Sequence, residues 1–165
     1  MAGALRLSPI TTASLALVPF EEATARAVLA GDLRGIEPGV GWPQAGTGAG
    51  LRNSLERGGP LPWMVLRDGR VIGDCGLHGP PDERGEVEIG YGLAAPYRGR
   101  GYGSELVAAI SDWLLAQPAI GALLARTEAD NVASIRALQR AGFVRSAGAA
   151  AGGLIVYRRA ITRPS

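Results

Sequence analysis

One segment of the sequence has the composition of an anion-binding turn. Arg98-Gly99-Arg100-Gly101-Tyr102-Gly103 runs straight into a strongly amphipathic stretch that starts at Ser104. Glycines let the backbone turn tightly and approach a ligand closely. Free N–H groups at a helix start, together with the helix dipole, favour a phosphate. Two arginines add bidentate anion recognition. Three ligand classes could use such a loop. A dinucleotide fingerprint wants a third glycine where Ser104 stands, and a nucleoside-triphosphate loop ends in Gly-Lys-Ser/Thr, yet the chain has no lysine. The pyrophosphate of coenzyme A meets no such objection. Taken alone, the loop also fits a plain strand-to-helix turn with solvated arginines.

Glu88 is the candidate for proton chemistry. In Glu86–Leu93 the residues alternate: Val87, Ile89, Tyr91 and Leu93 share one face of a strand, and Glu86, Glu88, Gly90 and Gly92 share the other. The missing side chains at Gly90 and Gly92 leave room for an acceptor beside Glu88. It therefore reads as a general base or an acceptor-orienting carboxylate, or else as the partner of an arginine. His78, the single histidine, reads as a turn or surface residue, or else as a substrate contact. Asp74 and Cys75 fall in a strand; Cys75 reads as a buried small apolar residue, and no cluster has metal-ligand spacing. Trp42 and Trp63 read either as walls of an acceptor pocket or as core.

These residues need elements to hold them. Leu15 to Val18 is expected as a strand and Glu21 to Ala30 as a helix with acidic residues in its first turn. Gly31 to Gly50, dense in glycine and proline, is expected as a long loop and acceptor-side lid, with a short helix from Leu51 to Arg57. Asp68-Gly69 joins Trp63–Arg67 to Arg70–Leu77 as a hairpin. Ser104 to Gln117 is a helix, Ala122 to Thr127 a strand, and Asn131 to Ala141 a helix capped by Asp130 or Asn131 and stopped by Gly142. Phe143–Arg145 and Leu154–Arg159 close the run as strands around Ala147 to Gly153. Hairpins followed by alternating strands and helices predict an α/β (α+β) fold, with a mixed sheet and helices packed on both faces.

Composition bounds the rest. The chain has 165 residues, 47% hydrophobic and 19% charged, as expected for one globular domain spanning 1–165. Its net charge of +2 gives no argument for nucleic acid or an anionic membrane. All 17 basic residues are arginine, which excludes a lysine nucleophile or Schiff base within this chain. One cysteine permits no internal disulfide, so a reducing, cytoplasmic location is expected, without a signal peptide or a membrane span.

The stretch from Glu88 to Gly103 resembles the central motif of the GNAT acetyltransferase superfamily, whose Arg/Gln-x-x-Gly-x-Gly/Ala core is here Arg98, Gly101 and Gly103. About thirty residues on, Asn131 to Phe143 resembles the second GNAT motif. With Leu15-Ala-Leu17-Val-Pro19, the pattern is most similar to the branch of ribosomal-protein N-terminal acetyltransferases, over about residues 12 to 160. The resemblance implies acetyl-CoA as co-substrate, no metal, and an amine acceptor, either a peptide N-terminus or a small molecule. It implies a strand ending at Leu93 that splays from Ala122–Thr127 to admit the pantetheine arm. Backbone groups at Leu93, Ala94 and Ala95 would bond that arm and polarise the thioester. N–H groups of Arg98, Gly99, Arg100, Gly101, Tyr102, Gly103 and Ser104 would hold the pyrophosphate. Asn131 would bond the pantetheine, unless it is only a helix cap. Ser134 would lie near the coenzyme sulfur, unless it only satisfies a local backbone group. Trp42, Glu88 and Tyr91 are the expected acceptor contacts. A dimer is common in such a family, without support in this sequence.

The resemblance also implies direct attack by the amine, with no covalent enzyme intermediate. A tyrosine often stands seven residues after Asn131 to protonate the thiolate; here that residue is Leu138, leaving Ser134, Tyr157 or water. Its absence admits an alternative, a non-catalytic acyl-CoA-binding module. An α-amine is roughly 10–15% neutral at pH 7 and a lysine amine on the order of 0.04%, a difference of about 3 kcal/mol. A site without a strong base therefore suits an α-amine, or another low-pKa amine, better than lysine.

Overall fold

The structure, a computed structural model, describes residues 5–149 and 151–162. Eight strands form one mixed sheet. The first half of the chain gives β1 (Ile10–Thr11), β2 (Ala16–Pro19), helices α1 (Glu22–Leu29) and α2 (Ala45–Arg57), then β3 (Trp63–Arg67), β4 (Arg70–Leu77) and β5 (Glu86–Leu93). The second half gives α3 (Tyr102–Leu115), β6 (Ala122–Glu128), α4 (Val132–Arg140), β7 (Val144–Ala149) and β8 (Leu154–Ala160). Strand order is β1-β2-β3-β4-β5-β6-β8-β7, antiparallel except for the β5–β6 pair.

Alternation along the strands places helices on both faces. Trp63 and Val65 of β3 join the larger core, where Leu106 and Ile110 of α3 and Leu138 of α4 pack on Ile89 and Leu123. Met64 and Leu66, on the opposite face, pack with Ala25 and Val28 of α1 and Leu51 of α2. The β3–β4 turn has Asp68 and Gly69 at φ 49° and 77°, the left-handed pair that a two-residue hairpin requires.

Three expectations change. The glycine-rich loop ends at Gln44, and α2 begins at Ala45 instead of Leu51, because Gln44 and Thr47 form a reciprocal cap and the first turn packs Thr47 inside. α3 begins at Tyr102, two residues before Ser104, with left-handed Gly101 as its cap. β1, a two-residue edge strand, and the extension of β7 to Ala149 have no periodicity in sequence long enough to show them.

The start of α3 is tied to the N-terminal strands. Glu105 Oε2 accepts from Thr12 Oγ1 and from the Ser14 N–H at 3.0 Å. Burial raises the Glu105 pKa, but those bonds and the Arg67 charge outweigh it and hold the carboxyl below its ordinary value. Its stabilisation is thus present above the unfolded pKa and lost as pH falls through the lower folded one. Glu105→Ala is expected to cost about 1 kcal/mol in urea unfolding at neutral pH, a difference that closes in acid.

Candidate active site

The turn between β5 and α3 sets bare backbone at a helix start, a geometry that suits an anion. A short 3-10 helix, Ala95–Tyr97, leads into Gly99 and Gly101 at φ 74° and 85°, conformations that side-chain-bearing residues rarely adopt. A Cβ at Gly99, Gly101 or Gly103 would meet nothing within 4 Å, so the loop presents bare backbone to open space. The N–H groups of Tyr102, Gly103 and Ser104 lie in the first turn of a 14-residue helix, where no intrahelical acceptor reaches them. Arg100 is exposed beside them. Arg98 is partly committed, donating from Nε to Leu93 O at 2.9 Å and from Nη2 to Gln44 Oε1 at 3.4 Å. Arg140, at the far end of α4 and without a local signal in sequence, adds a guanidinium whose Nη1 reaches Ser104 Oγ at 3.5 Å.

Next to this turn the sheet opens. β5 and β6 pair only from Glu86–Ala122 to Glu88–Leu124, after which β5 bonds to β4 alone. Glu88 O accepts from His78 N–H and Ala94 N–H donates to Ile72 O, both at 2.8 Å, so the even-numbered residues of β5 bond toward β4. By alternation, the amides of Ile89, Tyr91 and Leu93 face the gap. Ala94 N–H and the Leu93 carbonyl are already bonded within the chain, which shifts the free backbone groups back along the strand from the expected Leu93–Ala95.

The gap opens into a cavity of about 610 Å³. One wall is α4: Asn131 Oδ1 caps the helix by accepting from Ser134 N–H at 3.2 Å, and Ser134 Oγ lies 2.7 Å from the Tyr91 hydroxyl. Burial raises the Tyr91 pKa, partly offset by the Ser134 bond. Asn131 therefore does cap its helix, while its exposed side chain also lines the cavity. Leu138 is fully buried, and Tyr157 lies in the larger core away from the cavity lining, which removes it as a proton donor.

The floor is the shared face of β4 and β5. Asp74 lies opposite Gly92, Gly76 opposite Gly90, and His78 beside Glu88. His78 Nδ1 is 2.6 Å from Glu88 Oε2, and Arg126 Nε on β6 is 2.7 Å from Oε1. The Arg126 N–H is off line, so Oε1 is buried beside a positive charge without an aligned hydrogen bond. Residues 5–144 match the family model described as "Acetyltransferase (GNAT) domain".

The chain belongs to the GNAT acetyltransferase family.

Its relatives include an uncharacterized N-acetyltransferase, YjdG, of Bacillus subtilis (strain 168), 31% identical over 84 residues, 50% of each chain. The chain spans about half the length of the curated relatives it matches. Among solved structures, RimL, a ribosomal L7/L12 alpha-N-protein acetyltransferase in complex with coenzyme A, superposes with a TM-score of 0.68 at 20% identity, covering 93% of this chain and 98% of that one. An aminoglycoside acetyltransferase in complex with coenzyme A gives 0.64 at 20% identity, over 89% and 95%. These structural likenesses carry the fold.

Within the GNAT domain, Trp42 proves to be a core residue, stacked on Phe20 and absent from the cavity lining; it touches the site only through its Nε1 bond to Asp74 Oδ2 at 2.9 Å. Trp63 is also core, edge-on to Trp113. Cys75 is buried, and burial pushes its thiol well above the ordinary range, so it offers no thiolate. Among the described residues, no group of three His, Cys, Asp or Glu could hold a metal, and no helix is long and apolar enough to cross a membrane.

Burial raises the Asp74 pKa, against the lowering effect of the Thr47 and Trp42 bonds. A raised acid favours the protonated folded state, so its cost is absent below the unfolded pKa and grows as pH rises through the folded one. Asp74→Asn keeps an acceptor for both donors and removes that cost. The variant is expected to melt above wild type at neutral pH, with the gap closing in acid; a lower melting temperature at neutral pH would contradict this account.

Proposed function

We propose that this GNAT domain transfers the acetyl group of acetyl-CoA to a primary amine, a peptide or protein N-terminus or a small-molecule amine, by direct attack. The observation that carries the reading is the splay of β5 from β6 beside an open, positive-φ glycine turn. An extended thioester arm fits the first and a pyrophosphate the second. RimL and the aminoglycoside acetyltransferase are seen in complex with coenzyme A, which supports the same ligand here.

In this reading the N–H groups from Gly99 to Ser104 hold the pyrophosphate, with Arg100 and Arg140 adding charge. The gap-facing amides of Ile89, Tyr91 and Leu93 orient the arm and offer donors to the thioester carbonyl. Bound acetyl-CoA supplies the activated acetyl group. Ser134 and Tyr91, hydroxyl to hydroxyl, form a donor pair for the departing sulfur and answer for the tyrosine missing at Leu138. Asp74, Glu88 and Glu128 put carboxylates around the acceptor end, in keeping with a cationic amine. This donor pair favours turnover over the alternative of a non-catalytic acyl-CoA-binding module.

Thermal shift with coenzyme A, acetyl-CoA and NAD tests the first half; stabilisation by both coenzyme A species and none by NAD is expected. Release of free thiol is then followed with N-terminal peptides, polyamines and aminoglycosides as acceptors. Coenzyme binding with no amine-dependent release would leave the binding module as the correct reading.

A further inference from the structure

We infer that His78, acting through Nε2, is the proton acceptor for the incoming ammonium, and that Glu88 is its positioning residue. This rests on the acetyl-transfer reading above.

The register creates the pair. His78 N–H donates to Glu88 O, so the two residues stand side by side with their side chains on the cavity face. Nδ1 is 2.6 Å from Glu88 Oε2. The carboxylate charge at that distance favours a proton on Nδ1 over a lone pair, although the ring N–H, like that of Arg126, is not aligned on the oxygen. In the neutral ring the Nε2 lone pair is then free, because the position of one proton fixes the role of the other nitrogen.

Gly90 decides where that lone pair goes. It is the next residue of β5 on the same face, and a Cβ there would collide with His78 Nε2. The imidazole therefore lies across bare backbone, with Nε2 over the glycine floor of the cavity. Glu88 is poorly placed to be the base itself, since Oε1 lies against Arg126 and Oε2 against His78. The other charged groups around this space are Asp74 on β4, Arg126 and Glu128 on β6, and Arg98. Asp74 is held by Trp42 and Thr47. His78 combines a free basic atom over the Gly90 floor with access to water, its side chain being 57% exposed; the exposed Glu128 stands across the gap on β6, away from that floor.

The protons balance. His78 Nε2 takes one proton from the ammonium and passes it to solvent. The neutral amine forms the C–N bond as the C–S bond breaks. The second nitrogen proton, lost as the amide forms, balances the one that the thiolate takes from the Ser134–Tyr91 pair, which solvent restores.

Because the chain has one histidine, ¹⁵N NMR of the free protein reads its tautomer directly. At a pH above the imidazole range, the Nδ1–H form is expected to dominate, and Glu88→Ala is expected to abolish that bias while leaving the amide spectrum folded. A dominant Nε2–H form in the wild-type protein overturns the inference. On whichever screened amine the wild-type protein acetylates, His78→Gln is expected to lower kcat about 100-fold with KM for acetyl-CoA unchanged. Imidazole added to His78→Ala should restore part of the rate. Gly90→Ala, which displaces the ring without removing it, should also lower kcat. An unchanged kcat in His78→Gln overturns the inference and leaves acetyl transfer standing. A wild-type chain that acetylates no amine overturns both.

Discussion

A Gly101→Val chain is expected to melt at the same temperature with and without coenzyme A, where the wild-type chain gains stability. Gly101 caps α3 at φ 85°. A β-branched residue is a genuine outlier there, at a cost of roughly 1–3 kcal/mol. No neighbour lies within 4 Å of the added Cβ, so the damage to the free protein is this local strain alone. The chain escapes it by rotating out of the left-handed region, which re-aims the N–H groups that should converge on the pyrophosphate. Saturation at a hundred times Kd is worth about 2.7 kcal/mol to the wild-type chain, and that gain is what disappears. Gly103→Ala is the control. Gly103 is helical and also faces open space, so alanine should stabilise the free helix by roughly 0.5–1 kcal/mol and still weaken coenzyme binding by filling the approach. Equal coenzyme-induced shifts in wild type and Gly101→Val would remove the turn from the binding site.

What the sequence makes legible follows from how local each feature is. Asp68-Gly69 dictates its own turn, and the alternation from Glu86 to Leu93 gives β5 its bounds and its cavity face. The glycine turn and the Asn131 cap are equally local, as are the hydrophobic positions of α3 and α4. The start of α2 is different. Ala45-Gly-Thr-Gly-Ala-Gly50 has the composition of a loop, and the helix forms because a cap and buried Thr47, Leu51 and Ser54 outweigh three glycines. Trp42 beside a proline looks like a pocket wall, but its indole packs on Phe20, a contact across the intervening helix α1 that no local pattern announces. His78 is the clearest case. A lone histidine at the end of a strand suits a surface turn as well as a substrate contact; the β4–β5 register is what sets it beside Glu88 and over Gly90. Counting back through the Gly79–Gly85 connection, with both strands' glycines in one file, was the signal available.

Leu138→Tyr, which writes in the tyrosine that the related motif often carries, is expected to destabilise the fold by about 2–6 kcal/mol and to add no activity. Leu138 is fully buried in the core between α3, α4 and the sheet. A larger ring in a packed core costs about 1–3 kcal/mol. A buried phenol without a partner adds about 1–3 kcal/mol more. Ser134 lies one turn earlier on the same face of α4, and the space above it already holds the Tyr91 hydroxyl at 2.7 Å. In the proposed mechanism the donor thus comes from β5 instead of α4, and position 138 is core. Urea unfolding measures the cost, and amine-dependent thiol release measures the chemistry. Were the variant stable and faster than wild type, the Tyr91–Ser134 pair would not be the proton source. Removing that pair is the reciprocal measurement: Tyr91→Phe leaves the core intact and should slow thiol release, while Leu138→Tyr in that background should fail to recover it, since a phenol at 138 is sealed beneath Ser134.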